Sequence, residues 1–95
     1  MEIQNDYVIQ EDDEIDHFQV LASKDITITL PSCEKFRQIF IQKLSDKGNV
    51  SIIANDEIIL HYKKPFNTLI ICPKKSVNKT WQEIGRGLDL FGDAS

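Results

Sequence analysis

Side chains branched at Cβ dominate the apolar part of this sequence. Isoleucine occupies 14 of the 95 positions and valine four, whereas leucine occupies seven, alanine three and methionine one. Branched side chains are restricted in a helix and pack well on the pleated surface of a sheet. The sequence therefore predicts an all-β fold, and its length suits one small domain.

Alternation of apolar and polar residues indicates where the strands lie. In residues 26–31 three apolar side chains alternate with two threonines before Pro31 ends the run, and this period of two is typical of a half-buried strand. The continuous apolar run Thr68–Cys72 predicts a central strand. Residues 33–44 fit a strand and also a helix capped by Ser32. The aromatic and β-branched residues 36–41 favour the strand, followed by a hairpin turn at 46–49 into residues 50–54.

These signals together predict a single small antiparallel β-sandwich or barrel-like domain. We expect about eight short strands at the spacing usual for such folds, within residues 1–84. The acidic cluster 11–14 and the pair Asn55-Asp56 are expected to be turns. Residues 85–95 form a short tail that either docks on another protein or frays. The apolar residues of this tail are Leu88, Leu90 and Phe91.

The net charge of −4 conceals an uneven distribution. Residues 1–16 contain seven acids and no base, whereas residues 58–79 contain five lysines and no acid. An acidic start set against a basic segment can orient subunits or steer an anionic partner, although such runs are also typical of solvated faces. The candidate residues for an anionic-partner patch are Lys63, Lys64, Lys74 and Lys75.

No pattern in the sequence indicates catalysis, a metal or a cofactor. His17 and His61 lack the spacing that places two imidazoles on one ion, and no phosphate-binding glycine loop is present. Cys33 and Cys72 show no CxxC spacing, and we expect two reduced, partly buried thiols. The residues after Met1 are acidic, so we expect no signal peptide and no membrane insertion. We therefore expect a non-enzymatic protein made in the cytoplasm.

Several short motifs follow one another in a characteristic order. They are the turn Asp12-Asp13, the strand Ile26-Thr27-Ile28-Thr29-Leu30-Pro31, Phe40-Ile41-Gln42-Lys43, Gly48-Asn49-Val50-Ser51-Ile52, Thr68-Leu69-Ile70 and Trp81-Gln82-Glu83-Ile84. This layout, over residues 7 to 84, resembles a small β module of bacteriophage tail fibres and other virion appendages. The resemblance implies a homotrimer attached to a phage particle, with exposed loops that reach a glycan on the host surface. The absence of a fibre shaft before the module favours a capsid decoration or head-fibre protein over a fibre tip.

The residues offer a separate reason to expect self-association. The segments 58–60 and 68–72 are apolar on both faces, which is more than one small domain covers by itself. We expect Ile58, Leu60, Leu69 and Ile71 to lie at an interface between subunits.

The alternative is a stand-alone module that binds nucleic acid or carbohydrate. For nucleic acid, the lysines would neutralise phosphates while Tyr62, Phe66 and Trp81 stack on bases. The acidic pI of the whole chain argues against that role. The third class of protein compatible with the sequence is a small enzyme subunit.

Overall fold

A computed structural model of the chain describes residues 1–73 and 80–86, with the backbone alone for residues 84–86. Within these ranges there is no helix, so the prediction of an all-β fold is confirmed. Nine strands are present: β1 Glu2–Ile3, β2 Tyr7–Val8, β3 His17–Val20, β4 Ile26–Thr29, β5 Arg37–Lys43, β6 Val50–Ala54, β7 Glu57–Tyr62, β8 Phe66–Cys72 and β9 Gln82–Arg86. The helix alternative for residues 33–44 is wrong, because β5 occupies most of that segment.

The strands form two sheets that the chain visits in turn. Sheet A has the order β1-β3-β5-β8-β9, and sheet B has the order β2-β4-β6-β7. The first six strands alternate between the sheets. From β3 to β6, each strand pairs in parallel with the preceding strand of its own sheet. The chain therefore coils three times, with one strand per sheet in each coil, which is the connectivity of a short β-solenoid.

The expectation of antiparallel sheets holds only for the last three strands. β7 pairs antiparallel with β6, β8 with β5, and β9 with β8, so both sheets are mixed. The predicted β5–β6 hairpin is wrong, because β5 lies in sheet A and β6 in sheet B. The turn at 46–49 carries the chain from one sheet to the other. The predicted turn at Asn55-Asp56 is confirmed, and both residues have the positive φ (53° and 63°) of a tight hairpin.

Two aspartates extend the parallel ladder of sheet B around the corner of each coil. Thr27 donates its backbone N–H to Oδ1 of Asp6 (2.9 Å), and Asn49 donates its own to Oδ1 of Asp25 (2.8 Å). Asp6 precedes β2 and Asp25 precedes β4. Each carboxylate therefore accepts a hydrogen bond from the residue of the next coil that lies across from it in the parallel register. The side chains take the place of backbone carbonyls where the strands end.

Gly48 allows the third coil to approach the second. Its φ is +77°, and a Cβ at this position would lie 2.4 Å from the carbonyl oxygen of Lys24. Only glycine tolerates both conditions. The Lys24 ammonium in turn donates to Oδ1 of Asn5 at 2.7 Å. The corners of the three coils are therefore stacked in direct contact.

The inward side chains of both sheets form one buried core. Its fully buried isoleucines and their neighbours come from alternate positions of the strands: Phe18, Val20, Ile39, Ile41 and Ile70 in sheet A, and Ile26, Ile28, Val50 and Ile52 in sheet B. Burying each such side chain stabilises the fold by about 1.5–3 kcal/mol before the loss of conformational entropy. The core is thus shared, and neither sheet is stable without the other.

Two charged side chains, the buried Lys43 and the exposed Glu83, hydrogen-bond to groups in and beside the core. Lys43 occupies an inward position of β5 and is 1% exposed, and its ammonium donates to the carbonyl oxygens of Ser45 and Lys47. Glu83 of β9 accepts hydrogen bonds from the hydroxyls of Tyr62 in β7 and Thr68 in β8. One carboxylate therefore links strands of sheet A to a strand of sheet B.

Candidate functional site

An apolar row crosses the outer face of sheet B. Strand register places Val8 opposite Thr29, Thr29 opposite Ile53, and Ile53 opposite Ile58, so the four side chains form one line over all four strands. We call this line the apolar row. Val8 is 55% exposed and Ile58 is 63% exposed, so its two ends are open to solvent.

The neighbouring row on the same face is polar. It consists of Thr27, Ser51 and His61, which are in register, and Ser51 Oγ lies 2.9 Å from His61 Nδ1. Asp6 lies across from Thr27 at the β2 end of this row and accepts its backbone N–H, whereas the apolar row contains no Asp, Glu, Lys or Arg residue. An exposed face with large apolar side chains and few charges is typical of a surface that packs against protein.

The four predicted interface residues lie on different surfaces. Ile58 belongs to the apolar row, whereas Leu60 stands opposite Ile52 and packs against the core. Leu69 and Ile71 alternate with buried residues of β8 and lie half-buried on the outer face of sheet A. The structure groups Ile58 with Val8 and Ile53 instead. The sequence contained no signal that adds Val8 to this group, because its place depends on parallel register between strands that are distant along the chain, whereas Ile53 and Ile58 pair across the β6–β7 hairpin.

A row of amides crosses the outer face of sheet A. Gln19, Gln42 and Asn67 are in register on β3, β5 and β8. Gln19 Nε2 donates to Gln42 Oε1 (3.2 Å), and Gln42 Nε2 donates to Asn67 Oδ1 (3.1 Å). His17 Nε2 lies 2.9 Å from Gln42 Oε1, and the His17 ring stacks on Phe40 with 4.4 Å between ring centroids. We call these three amides the amide row.

The lysine patch is only partly within the described residues. Lys63 and Lys64 are exposed after β7, whereas Lys74 and Lys75 lie outside the described residues, as do the tail residues Leu88, Leu90 and Phe91.

The aromatic residues near the lysines are used inside the fold. Tyr62 is 6% exposed and stacks on Phe66 at 3.7 Å between centroids, and Trp81 packs against the core and donates its indole N–H to the carbonyl of Pro31 at 2.9 Å. Tyr62 is therefore not open to a base, whereas Phe66 and Trp81 are half-buried.

Cys33 and Cys72 form a disulfide bond, so the expectation of two reduced thiols is wrong. Cys33 lies in the loop before β5, and Cys72 is the last residue of β8. Antiparallel pairing places Cys72 opposite Arg37, which brings it to the start of β5, and the two Cα atoms lie 5.5 Å apart. The bond spans 39 residues, so only the β5–β8 register reveals it.

Arg37 holds the acidic loop, residues 10–16, to the rest of the fold. Its Nε lies 3.0 Å from Oδ1 of Asp16, and its two terminal nitrogens donate to the carbonyl oxygens of Gln10 and Ile15, each at 2.9 Å. The arginine side chain is 9% exposed. A single guanidinium therefore fixes both ends of this loop, and the sequence alone did not distinguish Arg37 from the other bases.

Asp13 fixes the middle of the same loop. The Tyr7 hydroxyl donates to its Oδ2 at 2.8 Å, and the Ile15 backbone N–H donates to its Oδ1 at 3.2 Å. The hydrogen bond from Tyr7 and then that from Ile15 lower the pKa of Asp13. The same bond to Asp13 raises the pKa of Tyr7, with desolvation acting in the same direction.

No family model matches this chain, and neither a curated protein nor a solved structure shows significant similarity to it. In the described part of the chain, no group of three His, Cys, Asp or Glu side chains is placed to hold a metal ion. The described residues also include no helix long and apolar enough to span a membrane.

The disulfide predicts a large loss of stability on its removal. Replacing Cys33 or Cys72 by Ser should lower the free energy of unfolding by about 4 kcal/mol, because the denatured chain regains the freedom of a long loop. Urea unfolding monitored by Trp81 fluorescence measures this difference. The double variant should lose no more than either single variant, and dithiothreitol should destabilise the wild type but not the double variant. A wild type that is indifferent to dithiothreitol would contradict the bond.

The hydrogen bond from Tyr7 to Asp13 predicts an acid-dependent contribution to stability. Because the folded pKa of Asp13 is lower than its unfolded value of about 3.9, this contribution is present above the unfolded pKa. It is lost as the pH falls through the folded pKa. Tyr7→Phe should raise the pKa of Asp13 and be destabilising at pH 7, less so in acid. Carboxyl ¹³C NMR titration and urea unfolding measure the two effects.

Asp13→Asn provides the control background for this experiment. Asparagine has one acceptor oxygen where Asp13 uses two, for Tyr7 and Ile15, and it does not titrate, so the effect of Tyr7→Phe in this background should no longer depend on pH over the acid range. An unchanged Asp13 pKa in the Tyr7→Phe variant would show that the hydrogen bond does not hold in solution.

Proposed function

We propose that this chain is a non-enzymatic structural protein of a bacteriophage particle, as a capsid decoration, head-fibre or tail-fibre component. The observation that supports this proposal most is the apolar row, which crosses the outer face of sheet B without a charged residue. A face of this kind is suited to packing against another protein surface, either a second copy or a capsid or tail protein. The assignment to a phage particle comes from the order of motifs in the sequence, which resembles that of phage appendage modules.

The internal cross-links of the fold suit a structural role. The disulfide joins the loop before β5 to β8, Arg37 holds the acidic loop, and Asp6 and Asp25 tie successive coils. Each of these contacts restrains a loop that would otherwise open before the core does. A protein that stays on the outside of a particle benefits from loops of this kind.

The homotrimer implied by the resemblance remains part of the proposal. The apolar row would lie at the contact between subunits, with Ile58 of one copy near the row of the next. This arrangement differs from the sequence-based interface, since Leu69 and Ile71 lie on the outer face of the other sheet.

The proposal predicts that Val8→Lys weakens association. Val8 lies at the β2 end of the apolar row and is 55% exposed, so a lysine there leaves the core intact but places a charge on the face. Sedimentation equilibrium should give a mass above the 10.9 kDa of one chain for the wild type, and a shift towards that value for the variant. Purified phage particles should contain the protein by mass spectrometry and contain less of the variant.

Ile15→Lys is the matched control for this substitution. Ile15 is 41% exposed and lies in the acidic loop, away from the apolar row, so the same chemical change should leave association and incorporation into particles unaltered. Absence of the wild-type protein from particles would overturn the assignment to a virion. Equal effects of the two variants would overturn the role of the face.

A carbohydrate-binding module is the second candidate, and the amide row supports it. Amides aligned over three strands beside the exposed His17 ring present the donors, acceptors and flat ring surface that sugars use. Affinity electrophoresis in gels containing bacterial surface polysaccharide tests this function. Retarded migration of the wild type that Gln42→Ala abolishes would favour it, and unretarded migration in every polysaccharide would remove it.

A further inference from the structure

Strand β7 is a long exposed edge. It is the last strand of sheet B, and no other described strand lies along its outer side. It has six residues, with a bulge at Ile59 where the pairing with β6 shifts, whereas the other edge strand of sheet B, β2, has two. Ile58 and Ile59 on β7 are 63% and 38% exposed. Long apolar edges pair readily with other strands, and proteins normally shorten, charge or cover them.

Charges of opposite sign lie at the two ends of this edge. Asp56 and Glu57 are at its start, Lys63 and Lys64 follow its end, and all four are exposed. Between them lies the uncharged segment 58–62. In an antiparallel pair of two such strands, the start of each strand lies beside the end of the other. Each acidic end then meets a basic end, at both ends of the pair.

We propose that β7 pairs antiparallel with β7 of a second copy of this chain, about a twofold axis at Leu60. This register sets Leu60 opposite its counterpart and brings Glu57 beside Lys63 of the second copy. The contact is isologous, so each favourable charge pair occurs twice. A parallel pair would instead set acid beside acid and base beside base, which opposes it.

The pairing would also join the two copies of sheet B. They would form one continuous sheet of eight strands, since each contributes four. Ile58 would have Tyr62 of the second copy opposite it, so the two apolar rows would lie on either side of the axis, offset along the strands. This inference does not rest on the phage assignment. It concerns the edge of sheet B and not its face, and it differs from the proposed homotrimer because an isologous contact at one edge joins two copies.

Charge reversal at the two ends tests the pairing. Glu57→Lys and Lys63→Glu should each raise the dissociation constant of the dimer by about 10- to 100-fold, because each turns attractive contacts into repulsive ones. An equimolar mixture of the two variants should associate, since the basic ends of one variant meet the acidic ends of the other. The double variant Glu57→Lys/Lys63→Glu should dimerise like the wild type. Sedimentation equilibrium of the full chain at low salt measures all four samples.

Two controls separate this inference from general electrostatics and from the proposed function. Lys35→Glu makes the same charge change on an exposed residue of the loop before β5 and should leave the dimer intact. Asp56 is retained in every variant because its φ of 63° belongs to the hairpin turn. A wild type that stays at 10.9 kDa at all concentrations would overturn the pairing. So would a trimer that is insensitive to both charge reversals, although it would support the trimeric virion protein.

Cysteine cross-linking tests the register itself. Opposite Cα atoms in an antiparallel pair lie about 4.5–5.5 Å apart, within the range of a disulfide bond. Leu60→Cys should therefore form a covalent dimer on mild oxidation, whereas His61→Cys, which has Ile59 of the second copy opposite it, should not. Cross-linking of both variants to the same extent, or of neither, would overturn the proposed axis.

Discussion

Parallel register between successive coils is the constraint on which the rest of this structure depends. When β3 pairs with β1 and β5 pairs with β3, the inward residues of each coil stack on those of the preceding coil. The same holds in sheet B for β2, β4 and β6. A slip of one residue would turn every inward isoleucine outward. The shared core depends on this alignment, and so do the apolar row and the amide row, to which β7 and β8 each add one residue by antiparallel pairing.

The corners hold that register where the strands are too short to do so alone. β1 and β2 have two residues each, which form few ladder hydrogen bonds. Asp6 and Asp25 add a bond to the next coil at equivalent corners, and Gly48 lets the third corner touch the second. At the ends of the strands away from these corners, Arg37 restrains the acidic loop and the disulfide restrains the loop before β5. Small coils of this kind rely on their turns as much as on their strands.

Much of the local structure was predictable, and little of the pairing was. The alternation in residues 26–31, the strand in 37–43 and the turn at Asn55-Asp56 follow from patterns within a few residues, and the structure has all three. The β5–β6 hairpin failed because the same turn residues serve a reversal within one sheet and a passage between sheets. The three coils are also not recognisable in the sequence, because their loops differ in length and sequence and no repeat is visible.

The candidate surfaces likewise have a part that was predictable from the sequence and a part that was not. The sequence predicted Ile58 at an interface together with Leu60, Leu69 and Ile71, but Leu69 and Ile71 lie on the other sheet. Val8 joins the row through parallel contacts between residues far apart along the chain, whereas Ile53 and Ile58 pair across a hairpin. The acidic start of the chain was visible, while its partner Arg37 was not, because a guanidinium reaches its acceptors through folded geometry.

By itself the sequence determined that this chain forms strands, where most of them lie, and which end of β7 is acidic and which basic. These properties depend on side-chain shape and charge over a few neighbouring residues. Only the tertiary structure decided that the first six strands run parallel, that Cys33 meets Cys72, and that an apolar row crosses the outer face of sheet B. Alternation with a period of two is the same in parallel and antiparallel strands, so the choice between them lies in long-range packing of the core.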